Sequence, residues 1–134
     1  IDLPIGRHPR DRTRMTTRPD GRAALTRYRV VRASSGLSLL EIELHTGRTH
    51  QIRVHLKSLR HPLVGDPTYG EERWRAFPGL LRRPLREFTR PALHAWRLAL
   101  DHPVSGERCH FEAPVPEDMA ALWQRVTGET LPEP

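Results

Sequence analysis

The chain has 134 residues, of which 37% are hydrophobic and 28% are charged, and its formal net charge is +6 at pH 7. This length predicts one domain or part of one, with room for a modest core. No apolar run approaches the ~18 residues that a membrane-spanning helix needs, and no signal-peptide pattern occurs, so we expect a protein without a membrane span. A single cysteine, Cys109, excludes an internal disulfide and favours a reducing, cytoplasmic compartment.

The positive charge is concentrated in three segments. Residues 1–32 carry nine arginines and three aspartates, residues 45–60 carry four basic residues and no acid, and residues 73–90 carry six arginines and one glutamate. Residues 101–134 instead carry seven acids and two arginines. This distribution predicts a surface that binds a polyanion such as a nucleic acid. The alternative is an arginine-rich surface without a ligand, because twenty-one of the twenty-two basic residues are arginine.

The first third of the chain predicts an arm followed by a hairpin. Residues 1–22 contain three prolines and two glycines among arginines, which predicts an extended arm outside the core. Residues 24–31 and 37–44 predict two strands joined by a turn at residues 34–36. In the second strand, apolar residues alternate with glutamates, which predicts one buried face. These apolar residues are Leu40, Ile42 and Leu44.

A helix is predicted after the hairpin. Gly47 ends the strand, Thr49 is a suitable N-cap, and Pro62 ends the helix. Apolar residues with helical spacing, predicted to form the buried stripe, are Ile52, Leu56 and Leu59. Basic residues with the same spacing form a neighbouring stripe of Arg53, Lys57 and Arg60.

The remainder predicts a basic loop, a second hairpin and a last helix. Residues 71–91 combine arginines with prolines and predict a basic loop or insertion. Residues 92–100 and 108–113 predict two strands, and the acids that follow Pro116 predict a helix start. The chain is therefore predicted to be an α+β protein with a mostly antiparallel sheet and two or more helices.

Four half-covered strands make a thin core for this length, which predicts an incomplete domain. Such a domain exposes a strand edge and an apolar face, and both recruit partners. We therefore expect a homodimer, formed through an exposed sheet edge or by exchange of the 1–22 arm, or else aggregation.

Few residue patterns predict chemistry on their own. The strand end, glycine turn and helix start around Arg48 are suited to bind phosphate. Histidines recur every five residues at His45, His50 and His55, but five residues rotate a helix by about 140°, so we expect no metal site. Asp66, in Gly-Asp-Pro, is predicted to cap its loop.

Two segments together resemble a signature of the RluA-type RNA pseudouridine synthases. They are His-Thr-Gly-Arg-Thr-His-Gln-Ile-Arg-Val-His-Leu at residues 45–56 and His-Pro-Leu-Val-Gly-Asp-Pro-Thr-Tyr-Gly at residues 61–70. The resemblance implies that residues 1–134 are the C-terminal part of a pseudouridine synthase catalytic domain. It further implies an isomerase that converts uridine to pseudouridine in ribosomal or transfer RNA and uses no metal or organic cofactor.

The resemblance also implies roles for individual residues. The nucleophile of the family is an aspartate in an Arg-Leu-Asp motif, and no Arg-Leu-Asp occurs here. Arg53 matches the arginine that pairs with this aspartate and keeps it ionised and aimed. RNA contacts are expected from Arg48, Thr49, His50, Gln51, Lys57, Arg60 and Arg90. The chain alone is therefore predicted to be inactive. A stand-alone RNA-binding module derived from the same fold, without catalysis, is the alternative.

Overall fold

A computed structural model describes residues 1–132 of the chain. It contains three antiparallel hairpins, formed by β1 (Ile5–Arg7) with β2 (Met15–Thr17), β3 (Thr26–Ser34) with β4 (Leu37–Leu44), and β5 (Arg97–Asp101) with β6 (Arg108–Glu112). The α-helices are α1 (Gln51–Ser58), α2 (Gly79–Glu87) and α3 (Glu117–Thr127), and a 3-10 helix spans Arg73–Ala76. The predicted α+β class is confirmed. Within residues 1–132 the hairpins are three separate two-stranded sheets rather than parts of one sheet.

The N-terminal segment folds onto the body of the protein, so the prediction of an extended arm over residues 1–22 is wrong. Ile5 is only 1% exposed and packs with Ala24, Val54 and Tyr69. The backbone groups of Ile5 and Arg22 exchange two hydrogen bonds of 2.9 and 2.8 Å. Three-residue strands are too short to give a periodic signal, so the prolines and glycines dominated the prediction.

The central hairpin turns as the sequence predicts. Ser35 and Gly36 have φ values of 50° and 80°. Positive φ at both turn residues matches the right-handed twist of the two strands. Thr26 lies opposite Leu44 and Ser34 lies opposite Leu37, with one register irregularity between Val30 and Arg32.

The predicted buried face of this hairpin is only partly covered: Leu40 and Ile42 are half-buried, and other residues of the hairpin are more exposed. Tyr28, Val30 and Leu44 are 43%, 51% and 50% exposed. The third hairpin has the same character, since Leu98 and Phe111 lie opposite each other and are 58% and 57% exposed. We call these five residues the exposed apolar hairpin residues. Nothing within residues 1–132 packs over them as a core would.

Helix α1 buries only part of the predicted stripe: Leu56 is buried and Ile52 is half-buried, but Leu59 is not. Its N-cap is His50, at φ 57°, rather than Thr49. The buried residues are Gln51, Val54, His55 and Leu56, whereas Leu59 of the predicted stripe is 39% exposed. The packed side of the helix is therefore mixed, with two polar residues buried beside two apolar ones.

Residues 71–91 form the 3-10 helix and α2, so the prediction of a basic loop is wrong. Leu85 is 2% exposed and packs with Leu122 and Val126 of α3. Leu81, Leu85 and Phe88 have helical spacing, but the neighbouring prolines obscured it. Pro84 is accommodated inside α2, which has only nine residues.

Candidate functional site

Arg53 and Asp66 form an ion pair at the centre of the candidate site. Helix α1 presents Arg53, and the loop that begins after Val64 presents Asp66. Arg53 donates from Nε to Oδ2 of Asp66 at 2.7 Å and from Nη2 to Oδ1 at 2.9 Å. The side chain of Asp66 is 0% exposed and that of Arg53 is 17% exposed. Arg53 therefore has a carboxylate partner within this chain, which the sequence does not predict, and its pairing with the aspartate of an Arg-Leu-Asp motif stays a prediction.

The carboxylate of Asp66 is saturated with hydrogen bonds. Besides the two from Arg53, it accepts bonds from the backbone N–H groups of Thr68 and Tyr69, each at 2.9 Å. Burial raises the pKa of Asp66, but the Arg53 and backbone hydrogen bonds outweigh burial, and the pKa lies below its ordinary value. Asp66 is therefore an ionised, fully engaged group. It caps its loop, as the sequence indicates. Its side chain is 0% exposed, so it is not accessible for nucleophilic attack.

Gly65 allows the loop of Asp66 to lie against another segment. Its φ is 73°, and a Cβ at this position would lie 2.3 Å from the backbone oxygen of Arg90. A side chain is therefore excluded on both conformational and steric grounds. Nearby, the backbone N–H of Ala92 donates to the oxygen of Val64 at 2.8 Å.

The ring of Tyr69 lies against the guanidinium group of Arg53. The guanidinium carbon of Arg53 lies 4.9 Å from the centre of the Tyr69 ring, and that of Arg14 lies 5.3 Å from it. The hydroxyl of Tyr69 accepts a hydrogen bond from the backbone N–H of Met15 and lies 2.8 Å from Nδ1 of His50. Burial, followed by the charge of Arg53, lowers the pKa of His50. His50 is thus a neutral imidazole at neutral pH.

A second polar network lies behind the ion pair. The side-chain N–H₂ of Gln51 donates to Oγ1 of Thr26 at 2.9 Å, and Thr26 Oγ1 lies 2.9 Å from Nδ1 of His55. The Nε2 of His55 lies 2.8 Å from the carbonyl oxygen of Leu3, which can only accept. In the neutral imidazole, therefore, Nε2 carries the hydrogen and Nδ1 accepts from Thr26.

This network corrects the role predicted for Gln51. The side-chain oxygen of Gln51 accepts bonds from Thr46 Oγ1 at 2.7 Å and from the Arg48 N–H at 3.0 Å. Gln51 is 3% exposed, so the prediction that it faces RNA is wrong. It bonds the backbone N–H of Arg48, which is predicted from the sequence to be available to phosphate. Its bond to Thr26 links the start of the helix to β3.

The other predicted RNA contacts divide into free and paired groups. Thr49 and Arg60 are exposed, and the side chain of Arg60 forms no ion pair with residues 1–132. Arg48 donates from Nε to the oxygen of Ala23 at 2.9 Å. Two residues are paired with acids at the surface: Lys57 with Glu71 at 2.8 Å and Arg90 with Asp118 at 2.6 Å. These two ion pairs are not predictable from the sequence.

An open trough runs from the site to the exposed apolar hairpin residues. It encloses about 2100 Å³, and its walls include Tyr28, Val30 and Leu98 of the hairpins and Ile52 and Leu59 near α1. Asp66 and Arg14 also line it. The ion pair therefore lies beside a large concave surface that is mainly apolar.

Residues 1–132 contain neither a cluster of metal ligands nor a membrane-spanning helix. No three His, Cys, Asp or Glu side chains lie close enough together to hold a metal ion. None of the helices in this part of the chain has the length and apolar composition to cross a bilayer.

Comparison with known proteins links this geometry to one family. The family model described as RNA pseudouridylate synthase matches residues 1–58. The chain is 51% identical over 126 residues to the ribosomal large subunit pseudouridine synthase D of Nitrosomonas europaea, a match that covers 94% of this chain and 36% of that protein. It is 47% identical over 132 residues to the protein of the same name from Escherichia coli K12, covering 91% of this chain and 38% of the relative.

A solved structure gives the same result. Human RNA Pseudouridylate Synthase Domain Containing 1 superposes with a TM-score of 0.71 and 28% identity, over 100% of this chain and 54% of that structure. The chain thus spans between a third and about half the length of the relatives that it matches. Tyr69, Thr26 and His55 were the main residues that sequence reasoning missed. For His55 the only available signal was its position four residues after Gln51 on a short helix.

Proposed function

Because the chain belongs to the RNA pseudouridine synthase family, we propose that it is the C-terminal part of a catalytic domain that isomerises uridine to pseudouridine in ribosomal or transfer RNA. The observation that carries this proposal is the side-on pairing of Arg53 with Asp66, which leaves one edge of a rigid guanidinium unused. In this proposal the nucleophilic aspartate comes from an Arg-Leu-Asp segment that residues 1–134 do not contain.

The proposed reaction uses groups of the protein and no cofactor. The target uridine leaves the base stack, because its reacting atoms are inaccessible inside a stacked strand. The incoming aspartate bonds to the ribosyl or uracil moiety, the bond between N1 and C1′ breaks, and the uracil turns. A C5–C1′ bond then forms and the bond to the aspartate breaks, while C5 loses a proton to solvent and N1 takes one up. Arg53 keeps the aspartate ionised and oriented by a charge-assisted hydrogen bond.

RNA binding is assigned to polar and basic residues at the two ends of α1. Arg48, Thr49 and Arg60 are the first candidates, with His50 beside them. Lys57 and Arg90 join them if phosphate displaces Glu71 and Asp118, which are partly exposed partners. Surface ion pairs contribute only about 0–1 kcal/mol, so such an exchange is inexpensive.

The activity test compares two proteins. One is this chain, and the other is the complete protein with any coding sequence that precedes Ile1 included. We expect the complete protein, and not the chain alone, to release tritium from RNA that carries C5-tritiated uridine. Release by the chain alone would place the nucleophile among its own six aspartates. Absence of release by the complete protein would contradict the proposed function.

The RNA surface is tested by the salt dependence of binding. Arg60→Gln should reduce the slope of log affinity against log salt by about 0.7, the value for one phosphate contact on a single strand. Lys57→Gln is the matched control and should reduce the slope less, because Lys57 is already paired with Glu71. Equal slopes for Arg60→Gln and the unmodified protein would exclude Arg60 from the RNA surface.

RNA binding without catalysis is the second candidate function. The basic surface alone supports it, and it requires no nucleophile. It predicts salt-dependent RNA binding by the chain and by the complete protein, with no tritium release from either. We also propose a cytoplasmic location, in keeping with relatives named for the ribosomal large subunit.

We further propose that the chain on its own forms a homodimer through the exposed apolar hairpin residues. Their exposure, between 43% and 58%, supports this. Exchange of residues 1–22 is no longer favoured, because Ile5 is buried in the chain's own body. Light scattering over a concentration series tests the proposal, and a monomer at high micromolar concentration would contradict it.

A further inference from the structure

We propose that Asp66 is a positioning residue for Arg53: it holds the guanidinium at a fixed angle so that the unused edge faces the incoming nucleophile. This inference rests on the proposed function and extends it to a residue outside the helix that carries Arg53. Asp66 does not touch the substrate in this scheme and acts only through Arg53.

The geometry of the guanidinium supports the assignment. Asp66 takes the edge formed by Nε and Nη2, at 2.7 and 2.9 Å. Arginine carries five N–H donors in a planar fork, so three remain, and two of these form the edge between Nη1 and Nη2. A second carboxylate fits that edge with two parallel hydrogen bonds. One arginine can therefore bridge a fixed carboxylate and a reacting one.

Asp66 accepts more hydrogen bonds than a loop cap requires. The cap consists of the backbone N–H groups of Thr68 and Tyr69, which a neutral side-chain oxygen also satisfies. The additional two bonds to Arg53 require a carboxylate with both oxygens aligned to the fork. Burial of this charge at 0% exposure is costly unless it is paired, and here its pairing is complete.

Tyr69 completes the restraint. Its ring lies 4.9 Å from the guanidinium carbon of Arg53, and Tyr69 itself is 1% exposed. The backbone N–H of Tyr69 also donates to Asp66. The guanidinium is thus held at one edge by a carboxylate and on one face by a ring that the same carboxylate fixes. The side chain as a whole keeps 17% of its exposure.

The first measurement is the single-turnover rate of the complete protein carrying Asp66→Asn. We expect a fall on the order of 10²-fold, because misplacement of a catalytic group by about 1 Å has that effect. The affinity for RNA should not change, since Asp66 is buried. Asp20→Asn is the matched control: Asp20 also accepts two bonds from one arginine, Arg18, but at the surface. It should leave the rate unchanged.

A double-mutant cycle separates positioning from a purely structural role. If Asp66 acts through Arg53, Asp66→Asn should cost little further rate in an Arg53→Lys background, although it still lowers the melting temperature. A purely structural role lowers the rate by the same factor in both backgrounds. Equal factors, or a full rate for Asp66→Asn alone, would overturn the proposal.

A measurement on the chain itself keeps the two proposals distinguishable. In the unmodified chain, NMR should detect an Arg53 Nε–H that exchanges slowly with solvent, and Asp66→Asn should abolish the protection. An unprotected Nε–H in the unmodified chain would overturn the positioning role whatever the activity. If the complete protein lacks turnover while the Nε–H is protected, the proposed function fails, and Asp66 still fixes Arg53.

Discussion

The region around α1 and the two larger hairpins distribute polarity in opposite ways. Around α1 four polar side chains are buried beside the apolar core: Thr26, Gln51, His55 and Asp66 are between 0% and 6% exposed. In the hairpins, by contrast, large apolar side chains are exposed, with Leu98 and Phe111 above 50%. Each region thus contains exceptions to the usual pattern of apolar residues inside and polar residues outside.

The difference indicates what each region requires from the remainder of a domain. The polar groups near α1 are satisfied by one another, so the Arg53–Asp66 pair and the network behind it are assembled by residues of this chain. The exposed apolar hairpin residues lack cover from residues 1–132, so these hairpins are suited to an interface. A preorganised site beside an uncovered surface is the arrangement expected if the missing nucleophile arrives on the segment that covers the hairpins.

The largest expected effect is on the rate of the complete protein with Arg53→Lys. Lysine keeps the positive charge but loses the planar fork that serves two carboxylates. We expect the rate to fall by about 10²–10³-fold, as for removal of a preorganised donor. RNA affinity should change little, because Arg48 and Arg60 remain. Single-turnover kinetics with a thermal melt decide, and a rate near that of the unmodified protein would make Arg53 an ordinary surface arginine.

The second prediction tests whether the buried polar network stabilises the α1 region. Thr26→Val leaves the side-chain N–H of Gln51 and Nδ1 of His55 without a partner, at about 1–3 kcal/mol for each buried group. Thr89→Val is the matched control, because Thr89 is exposed and its hydroxyl makes no hydrogen bond with residues 1–132. Chemical denaturation of both variants gives the free energies of unfolding. Similar losses would show that the network is not a source of stability.

A pair of leucines tests the other side of the comparison. Leu85→Ala, at 2% exposure, should lower the free energy of unfolding by about 2–5 kcal/mol. Leu98→Ala, at 58% exposure, should change it by no more than about 0.5 kcal/mol. Leu98→Ala should instead weaken self-association in light scattering. An equal loss of stability for both variants would mean that the hairpin is covered within the isolated chain.

The smallest effect concerns pH. The pKa of His50 is lowered in the folded protein, so the folded state binds fewer protons than the unfolded state. His50 therefore contributes stability that is complete above the unfolded pKa of about 6.5 and declines as the pH falls below it. Denaturation curves between pH 7.5 and 5, values chosen to bracket a histidine pKa of about 6.5, should show a decline. His50→Asn should make the decline shallower, because asparagine does not titrate. Asparagine is chosen because it tolerates the positive φ of this position.

The sequence predicts most of the secondary structure and the central pair of segments. The hairpin over residues 24–44 and the helix over residues 51–58 follow from periodicity and from turn residues. It also indicates the importance of Arg53 and the capping role of Asp66. The pairing of these two residues was not predictable, because they lie thirteen positions apart and on different elements.

The failures have a common physical cause. Periodicity selects the apolar side of α1, but the protein buries Gln51 and His55 as well. A polar residue is buried only if specific partners satisfy it, and the partners here, Thr26 and Leu3, are distant in sequence. The burial predicted for one face of β3 and β4 is incomplete for a different reason. Periodicity indicates which face of a hairpin is apolar, but not whether residues of the same chain pack against it.

Gly65 also has a consequence for the variation of chain length. The backbone of Gly65 lies against Phe88 and Arg90, and Val64 is bonded to Ala92. The segment between these contacts therefore begins and ends at the same place beside the site, as a closed loop does. The entropy of closing a loop changes only slowly with its length. Residues inserted or deleted between Glu72 and Pro78 should therefore leave Asp66 where it is, and relatives can differ in this stretch without a change at the site.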